Sequence, residues 1–163
     1  MNDMQKTIEY QSTGDMARRA SWHFLFRSGR GALTAGAIIM LFGISGIYRG
    51  DITWWLAWGA LVLPLIIPLR WMLYVKETAK KCDARSDKSV SVTFADDSVH
   101  FHTSEYDAHF KWYLIEALWR FKTEWLILTG SKKNYTSLPT SLLDAELQDF
   151  IIAKIRENDG EII

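Results

Sequence analysis

The chain has little of what disulfide-stabilised or metal-binding proteins need. It contains a single cysteine, Cys82, in 163 residues, which excludes an internal disulfide and any zinc or redox motif built on paired cysteines. It also has no excess charge of either sign, because 19 Lys and Arg residues balance 19 Asp and Glu residues. A neutral chain lacks the broad positive field that steers nucleic acid, so we predict no nucleic-acid partner.

Recognisable catalytic motifs are lacking as well. The sequence contains no GxSxG nucleophile elbow, no P-loop, no GxGxxG and no HExxH. The adjacent carboxylates of Asp96 and Asp97 are better explained as turn residues. The thiol of Cys82 has lysines beside it but no recognisable general base. We therefore expect a protein that is not an enzyme and holds no cofactor.

Charged residues are missing from two long apolar runs, residues 31–48 and 52–69, which are separated only by Arg49, Gly50 and Asp51. Each run is about as long as a helix that crosses a bilayer, which takes roughly 20 residues. The second run continues to Val75 if the Arg70 side chain reaches the headgroups. We therefore predict a transmembrane hairpin made of residues 31–48 and 52–75.

Basic residues flank the outer ends of this pair rather than its link, which carries only Arg49 beside Asp51. The flanking cations are Arg18, Arg19, Arg27, Arg30, Arg70, Lys76, Lys80, Lys81, Arg85 and Lys88. Since Lys and Arg accumulate on the cytoplasmic side of a membrane, we predict that both termini are cytoplasmic. Neither run contains Asp, Glu, His or Lys, which argues against an ion pathway.

Small residues form a stripe on one face of the first span, at Ala32, Gly36 and Gly43. Such stripes let helix backbones approach closely in lipid. One interpretation is a homo-oligomer interface, and the other is packing of the first span on the second. The second is favoured because the partner helix of a hairpin is always present.

Polar segments precede and follow the two spans. Residues 1–30 include TGDMARRASWHFLFR, where the apolar Trp22, Leu25 and Phe26 are set against Arg18, Arg19 and Arg27. We predict a cytosolic amphipathic segment at the membrane interface. Residues 76–89 are highly charged and predict a connector. The remaining part, residues 90–157, is predicted to be a cytosolic domain.

From Val90 onward, apolar residues alternate with polar ones, which is the period of a half-buried strand. The turn residues Asp96 and Asp97 predict a hairpin that sets Phe94 opposite Val99. A second turn at residues 104–107 would add a third strand. We expect this third strand to place Phe110 opposite Phe101.

Later apolar runs, ALWRF, WLILT and YTSL, predict further strands, and Pro139 ends the last of them. The segment SLLDAELQDFIIAKIREN predicts a helix capped by Thr140 or Ser141. The fold class predicted is therefore a membrane protein of α+β type. It has a two-helix transmembrane hairpin followed by a small antiparallel β-sheet and a carboxy-terminal helix.

The order of these segments resembles the YcxB-like family of small bacterial membrane proteins. The likeness runs from the juxtamembrane segment to Ile155 and rests on two spans followed by VTFADDSVHFHT, KWYLIEALW and LILTGSKKNYTSLPTSLLDAELQDF. It implies a compact domain similar to a pleckstrin-homology-like fold, located under the bacterial inner membrane. The matching residues are turns and core aromatics, so the resemblance implies fold and topology and carries over no activity.

Three of the four histidines, His100, His102 and His109, lie within ten residues. The hairpin register expected above sets His102 opposite His109, with His100 on the same face. A zinc or copper ion would find three imidazole ligands there. The simpler interpretation is a polar, solvent-exposed strand face.

The organisation favours a non-enzymatic inner-membrane protein whose cytosolic domain binds a protein partner or the anionic membrane surface. Basic side chains on strands and turns are candidates for headgroup contacts, although an ordinary solvated face is the alternative. These residues are Lys111, Arg120, Lys122, Lys132 and Lys133. An immunity protein that protects the cell against a toxin, and a metal-binding domain on the histidine face, are the other hypotheses.

Overall fold

The computed structural model of the chain describes residues 5–50, 54–132 and 134–163. Four helices are present in these ranges: α1 (Gly14–Ser28), α2 (Arg30–Arg49), α3 (Trp54–Asp83) and α4 (Ala145–Glu157). The strands are β1 (Lys6–Gln11), β2 (Ser89–Phe94), β3 (Ser98–Thr103), β4 (Asp107–Lys111), β5 (Ile115–Arg120), β6 (Glu124–Thr129), β7 (Asn134–Pro139) and β8 (Glu161–Ile162).

The strands form two sheets, which corrects the prediction of a single one. Sheet A has the order β1-β2-β3-β4, and sheet B has the order β7-β6-β5-β8. The chain leaves sheet A through a 3-10 turn at Trp112–Leu114. There the indole Nε1 of Trp112 donates to the carbonyl of Ala95, 2.9 Å away, which fixes the chain as it passes to sheet B. The predicted α+β class is confirmed.

An amino-terminal strand, β1, was missed because its sequence KTIEYQ contains few apolar residues. It pairs antiparallel with β2, so that Ile8 lies opposite Val92. Residues 1–30 are therefore not only an amphipathic segment. Helices α1, α2 and α3 are inserted between two neighbouring strands of one sheet.

The first predicted hairpin is confirmed, because Phe94 pairs with Val99 around a turn at Asp96 and Asp97. The register predicted for the second hairpin is wrong by two residues. Phe101 lies opposite Ala108 rather than Phe110. The reason is a tighter turn than expected.

Two hydrogen bonds between Thr103 and Tyr106 close this second turn. Its backbone N–H donates to the carbonyl of Tyr106, and its hydroxyl accepts from the N–H of Tyr106 at 2.9 Å. Asp107 therefore belongs to β4 and not to the turn. The corrected register sets His100, and not His102, opposite His109.

Two helix boundaries also differ from the expectation. Helix α3 continues past Val75 to Asp83, so that the first half of the predicted connector is helical. Helix α4 is capped by Asp144, whose side chain accepts from the N–H of Leu147 at 2.8 Å. Thr140 and Ser141 instead form a 3-10 turn before the cap.

The main core lies between the inner faces of the two sheets and α4. Its centre includes Phe94, Leu118, Ile127, Leu147 and Ile151, each at most 1% exposed. A second apolar cluster lies on the other face of sheet B, under α1. Because α1 covers that face, β6 is buried on both sides, which explains its unbroken apolar run WLILT.

One helix of the described residues, α2, is long and apolar enough to cross a membrane, judged by length and composition. Its buried residues are Gly36, Gly43 and Gly46, and a Cβ on Gly36 would lie 3.4 Å from Cβ of Pro64 in α3. Gly36 of the small-residue stripe thus packs on α3, whereas Ala32 is exposed. The two-span topology and a homo-oligomer through Ala32, Gly36 and Gly43 stay predictions.

Candidate functional site

A cleft of about 470 Å³ lies where the helices meet the edges of both sheets. One wall is the carboxy-terminal part of α3 together with α1, and the opposite wall comes from β1, β3 and β7. Its volume is in the range of pockets that bind small molecules, roughly 300–1,000 Å³. We call it the helix–sheet cleft.

Tyrosines define the wall of the helix–sheet cleft: Tyr10, Tyr74, Tyr106 and Tyr135. The hydroxyl of Tyr10 donates to the carbonyl of Ser137 at 2.7 Å and so joins sheet A to sheet B. Burial raises the pKa of Tyr10 far above its ordinary value. Tyr135 is bonded to Ser21 of α1 at 2.8 Å, and burial raises its pKa too. These contacts fix the width of the cleft.

The charged groups that line the described part of the cleft are Lys81, in the last turn of α3, and Arg85, just after that helix ends. Lys81 Nζ lies 3.9 Å from a carboxylate oxygen of Glu77, and Arg85 Nε lies 3.1 Å from one of Glu105. All four side chains are largely exposed to solvent. Such pairs contribute at most about 1 kcal/mol each, so both cations are able to turn toward a ligand.

The thiol of Cys82 is buried beside the same cleft, with its Sγ 3.2 Å from Oγ of Ser12. The residues lining the cleft in the described part of the chain include no Asp, Glu or His. A nucleophile would need a base within hydrogen-bond reach. The lining is therefore suited to binding an anion more than to acid–base chemistry.

The three histidines share the outer face of sheet A, as the sequence predicted. His100 and His102 both approach the carboxylate of Asp107, His102 at 3.8 Å through Nδ1. His109 is hydrogen-bonded through Nε2 to Ser98 Oγ at 2.8 Å. Among the residues that the structure describes, no group of three His, Cys, Asp or Glu side chains is placed to hold a metal ion. Metal binding stays a prediction.

The basic residues proposed for headgroup contact are not brought together. Lys111 is 3.5 Å from Asp97, and Lys132 is paired with Glu161. Arg120 lies over the ring of Trp125, at the opposite end of sheet B from Lys132. Lys122 follows Arg120 in the turn before β6, and Lys133 lies outside the described residues. The four of these cations that the structure describes form no single patch that could contact an anionic membrane surface.

The sequence analysis did not predict a buried carboxyl group that the structure contains. Glu124, the first residue of β6, is 1% exposed, and neither carboxyl oxygen has a hydrogen-bond partner. Nε2 of His23 in α1 is 3.7 Å away, and the His23 ring stacks on Phe121. Burial raises the pKa of Glu124, and the nearby charge of Arg19 opposes that rise.

The same environment shifts the pKa of His23 in the opposite direction to that of Glu124. Burial and the positive charge of Arg19 lower the pKa of His23, so its neutral form is favoured. The only sequence signal for this site was an acidic residue placed directly before the apolar run of β6. No sequence pattern predicted the cleft, because its walls are formed by several helices and strands from separate parts of the chain.

Comparison with protein-family models, with curated proteins and with solved structures finds no match for this chain. The resemblance to the YcxB-like family therefore stays a prediction.

Proposed function

We propose that the chain is a bacterial inner-membrane protein in which α2 and α3 cross the bilayer as a hairpin. The two-sheet domain lies in the cytoplasm against the membrane, and it binds its ligand in the helix–sheet cleft. The observation that carries this proposal is the position of the hairpin between two paired strands.

Strand β1 precedes α2, and β2 follows α3, yet the two strands pair along six residues from Lys6 to Gln11. Both ends of the helical insertion must therefore lie on the same side of any membrane. If α2 crosses the bilayer, α3 has to return across it. The pairing supports two crossings, although α2 is the one helix of the described residues that qualifies by length and composition.

Exposed apolar side chains support the membrane location. Leu41 and Phe42 of α2 are 67% and 71% exposed, and Leu65, Leu69 and Leu73 of α3 are also exposed. Soluble monomers seldom expose apolar patches larger than a few hundred Å². Arg and Lys flank the outer ends of the hairpin, which supports a cytoplasmic domain.

A two-sheet domain closed by one carboxy-terminal helix supports the pleckstrin-homology-like proposal as well. A protein partner, or a role as an immunity protein, stays a prediction, since no observation favours either. The sparse charge of the cleft favours a small ligand at the membrane surface over a broad electrostatic contact.

Cysteine labelling in intact cells tests the topology. In a Cys82→Ser background, we expect a membrane-impermeant maleimide to label Tyr48→Cys, at the end of α2, from outside. Glu157→Cys, at the end of α4, should react only after lysis. Both positions are exposed, so burial does not limit the reaction. Labelling of Glu157→Cys in intact cells would overturn the proposed function.

A further inference from the structure

We infer that the helix–sheet cleft is a binding site for a phosphate-bearing, hydroxyl-rich ligand, with the phosphate held between Lys81 and Arg85. The inference rests on the proposed function for its position at the membrane surface. The chemistry is shared by a phospholipid headgroup, such as phosphoglycerol, and by a free polyol phosphate.

The charge of the cleft selects an anion. Among the described residues that line it, the charged side chains are Lys81, in the last turn of α3, and Arg85, just after that helix ends. Their counter-charges, Glu77 and Glu105, sit outside the lining on the solvent side. An anion that enters the cleft exchanges two exposed ion pairs for charge-assisted hydrogen bonds in a more enclosed place, which are stronger.

The end of α3 does not oppose an anion strongly. A helix carboxy terminus carries partial negative charge because its last carbonyls are unpaired. Here the N–H of Ala84 donates to the carbonyl of Lys80, and the N–H of Arg85 donates to that of Cys82. Two of these carbonyls are thereby satisfied within the turn.

Hydroxyl groups in the lining of the cleft suit a polyol. Tyr74, Tyr106 and Thr136 line the cleft together with the apolar side chains of Val90 and Phe101. Tyrosine provides an apolar ring beside the carbon atoms of a ligand and a hydroxyl that donates or accepts. The lining thus combines a phosphate subsite with a subsite for a glycerol or sugar.

The cleft begins at the depth expected for lipid headgroups. Tyr74 is 20 residues after Trp54, the first residue of α3, and 20 helical residues span about 30 Å, the thickness of the hydrocarbon core. Thr78 and Lys81 in the following turns of α3, and Arg85 just beyond the end of that helix, also line the cleft. A headgroup is therefore able to enter from the membrane side, and a free phosphate from the cytoplasm.

Calorimetric titration of the full chain in a mild non-ionic detergent tests the inference. The ligands are short-chain phosphatidylglycerol, short-chain phosphatidylcholine and glycerol 3-phosphate. Phosphatidylglycerol is expected to bind, and phosphatidylcholine to bind at least about tenfold more weakly because its headgroup has no net charge and no hydroxyl group for the polyol subsite. If glycerol 3-phosphate binds, a free polyol phosphate is a sufficient ligand. If phosphatidylglycerol binds and glycerol 3-phosphate does not, the ligand is the lipid.

The variant Lys81→Gln/Arg85→Gln is expected to lose at least about tenfold in affinity. Lys76→Gln/Lys80→Gln, which removes the same charge from exposed positions outside the cleft, should change affinity less than about twofold. Equal losses in the two variants, or no binding of either anion, would overturn the inference. Such a result leaves the labelling test of topology untouched, so the ligand and the membrane topology are tested separately.

Discussion

Replacing Glu124 by glutamine is expected to stabilise the protein at neutral and alkaline pH and to do nothing in acid. The wild-type carboxyl is 1% exposed and lacks a hydrogen-bond partner for either oxygen. Glutamine keeps the shape and removes the charge. The comparison therefore isolates the free-energy cost of ionising this carboxyl inside the fold.

The size of the effect depends on His23. Two unit charges about 4 Å apart attract by about 4 kcal/mol at an effective dielectric constant of 20. Nε2 of His23 is 3.7 Å from Glu124, but the imidazole side chain is 37% exposed, and its pKa is lowered. Above pH 7 the ring is therefore neutral, and this attraction is absent. An unsatisfied buried polar group costs about 1–3 kcal/mol, and Arg19 offsets part of that.

The sign of the pH dependence follows from the raised pKa of Glu124. A group whose pKa is raised by folding contributes stability that is complete below its ordinary pKa, near 4.5, and is lost as the pH rises through the raised value. The glutamine variant does not suffer this loss. We therefore expect equal stability near pH 4 and a gain of about 1–2 kcal/mol for the variant at pH 8.

Thermal unfolding of the full chain in detergent, followed by tryptophan fluorescence between pH 4 and 8, measures this gain. A gain of that size corresponds to a rise in Tm of about 2–8 °C for a chain of this length. Glu9→Gln, on the exposed side of β1, is the matched control and should leave Tm unchanged at every pH. If Glu124→Gln lowers Tm at pH 8, the carboxylate is stabilised as an ion pair, and the reasoning is wrong.

Three further predictions concern the fold. Tyr10→Phe removes the hydrogen bond to Ser137 and should cost about 1 kcal/mol in urea unfolding, whereas the exposed Tyr113→Phe should cost nothing. Gly160→Ala places a Cβ 3.0 Å from the carbonyl oxygen of Ile155 and 3.1 Å from that of Ile115, and should lower the free energy of unfolding by about 1–3 kcal/mol. As the control, Gly31→Ala places a Cβ with no atom within 4 Å and should not destabilise the protein. Cysteines at Thr7 and Thr93, which are cross-strand partners, should form a disulfide on oxidation in a Cys82→Ser background, and its absence would contradict the pairing of β1 with β2.

Local patterns predicted local structure well. Alternation around Asp96 and Asp97 gave the first hairpin with its register, and Pro139 marked the end of β7. The second hairpin was misread because a polar turn allows several lengths, and here the Thr103 hydroxyl selected the tighter one. Since one residue fewer at each end of a turn moves the register by two, His100 replaced His102 opposite His109 without changing face.

Contacts between distant segments were beyond the sequence reading. Strand β1 has two apolar residues that face the core, Ile8 and Tyr10, which are too few to predict a strand from the sequence. It forms because its backbone pairs with that of β2. The buried Glu124 arises where α1 packs on β6, and the helix–sheet cleft arises where α1 and α3 meet β7, and both strands lie far from these helices in the chain. The hydrophobic pattern of a single segment does not predict which distant segment it will contact.

The sequence by itself determined that the chain has an apolar helical hairpin and an α+β domain, because hydrophobic period and turn residues are local properties. Only the tertiary structure decided that the hairpin interrupts a sheet, that the strands divide into two sheets, and that Lys81 and Arg85 face a cleft lined by tyrosines. The physical reason is that strand pairing and helix packing join residues far apart in the chain, and the choice among possible partners depends on the burial of the whole domain.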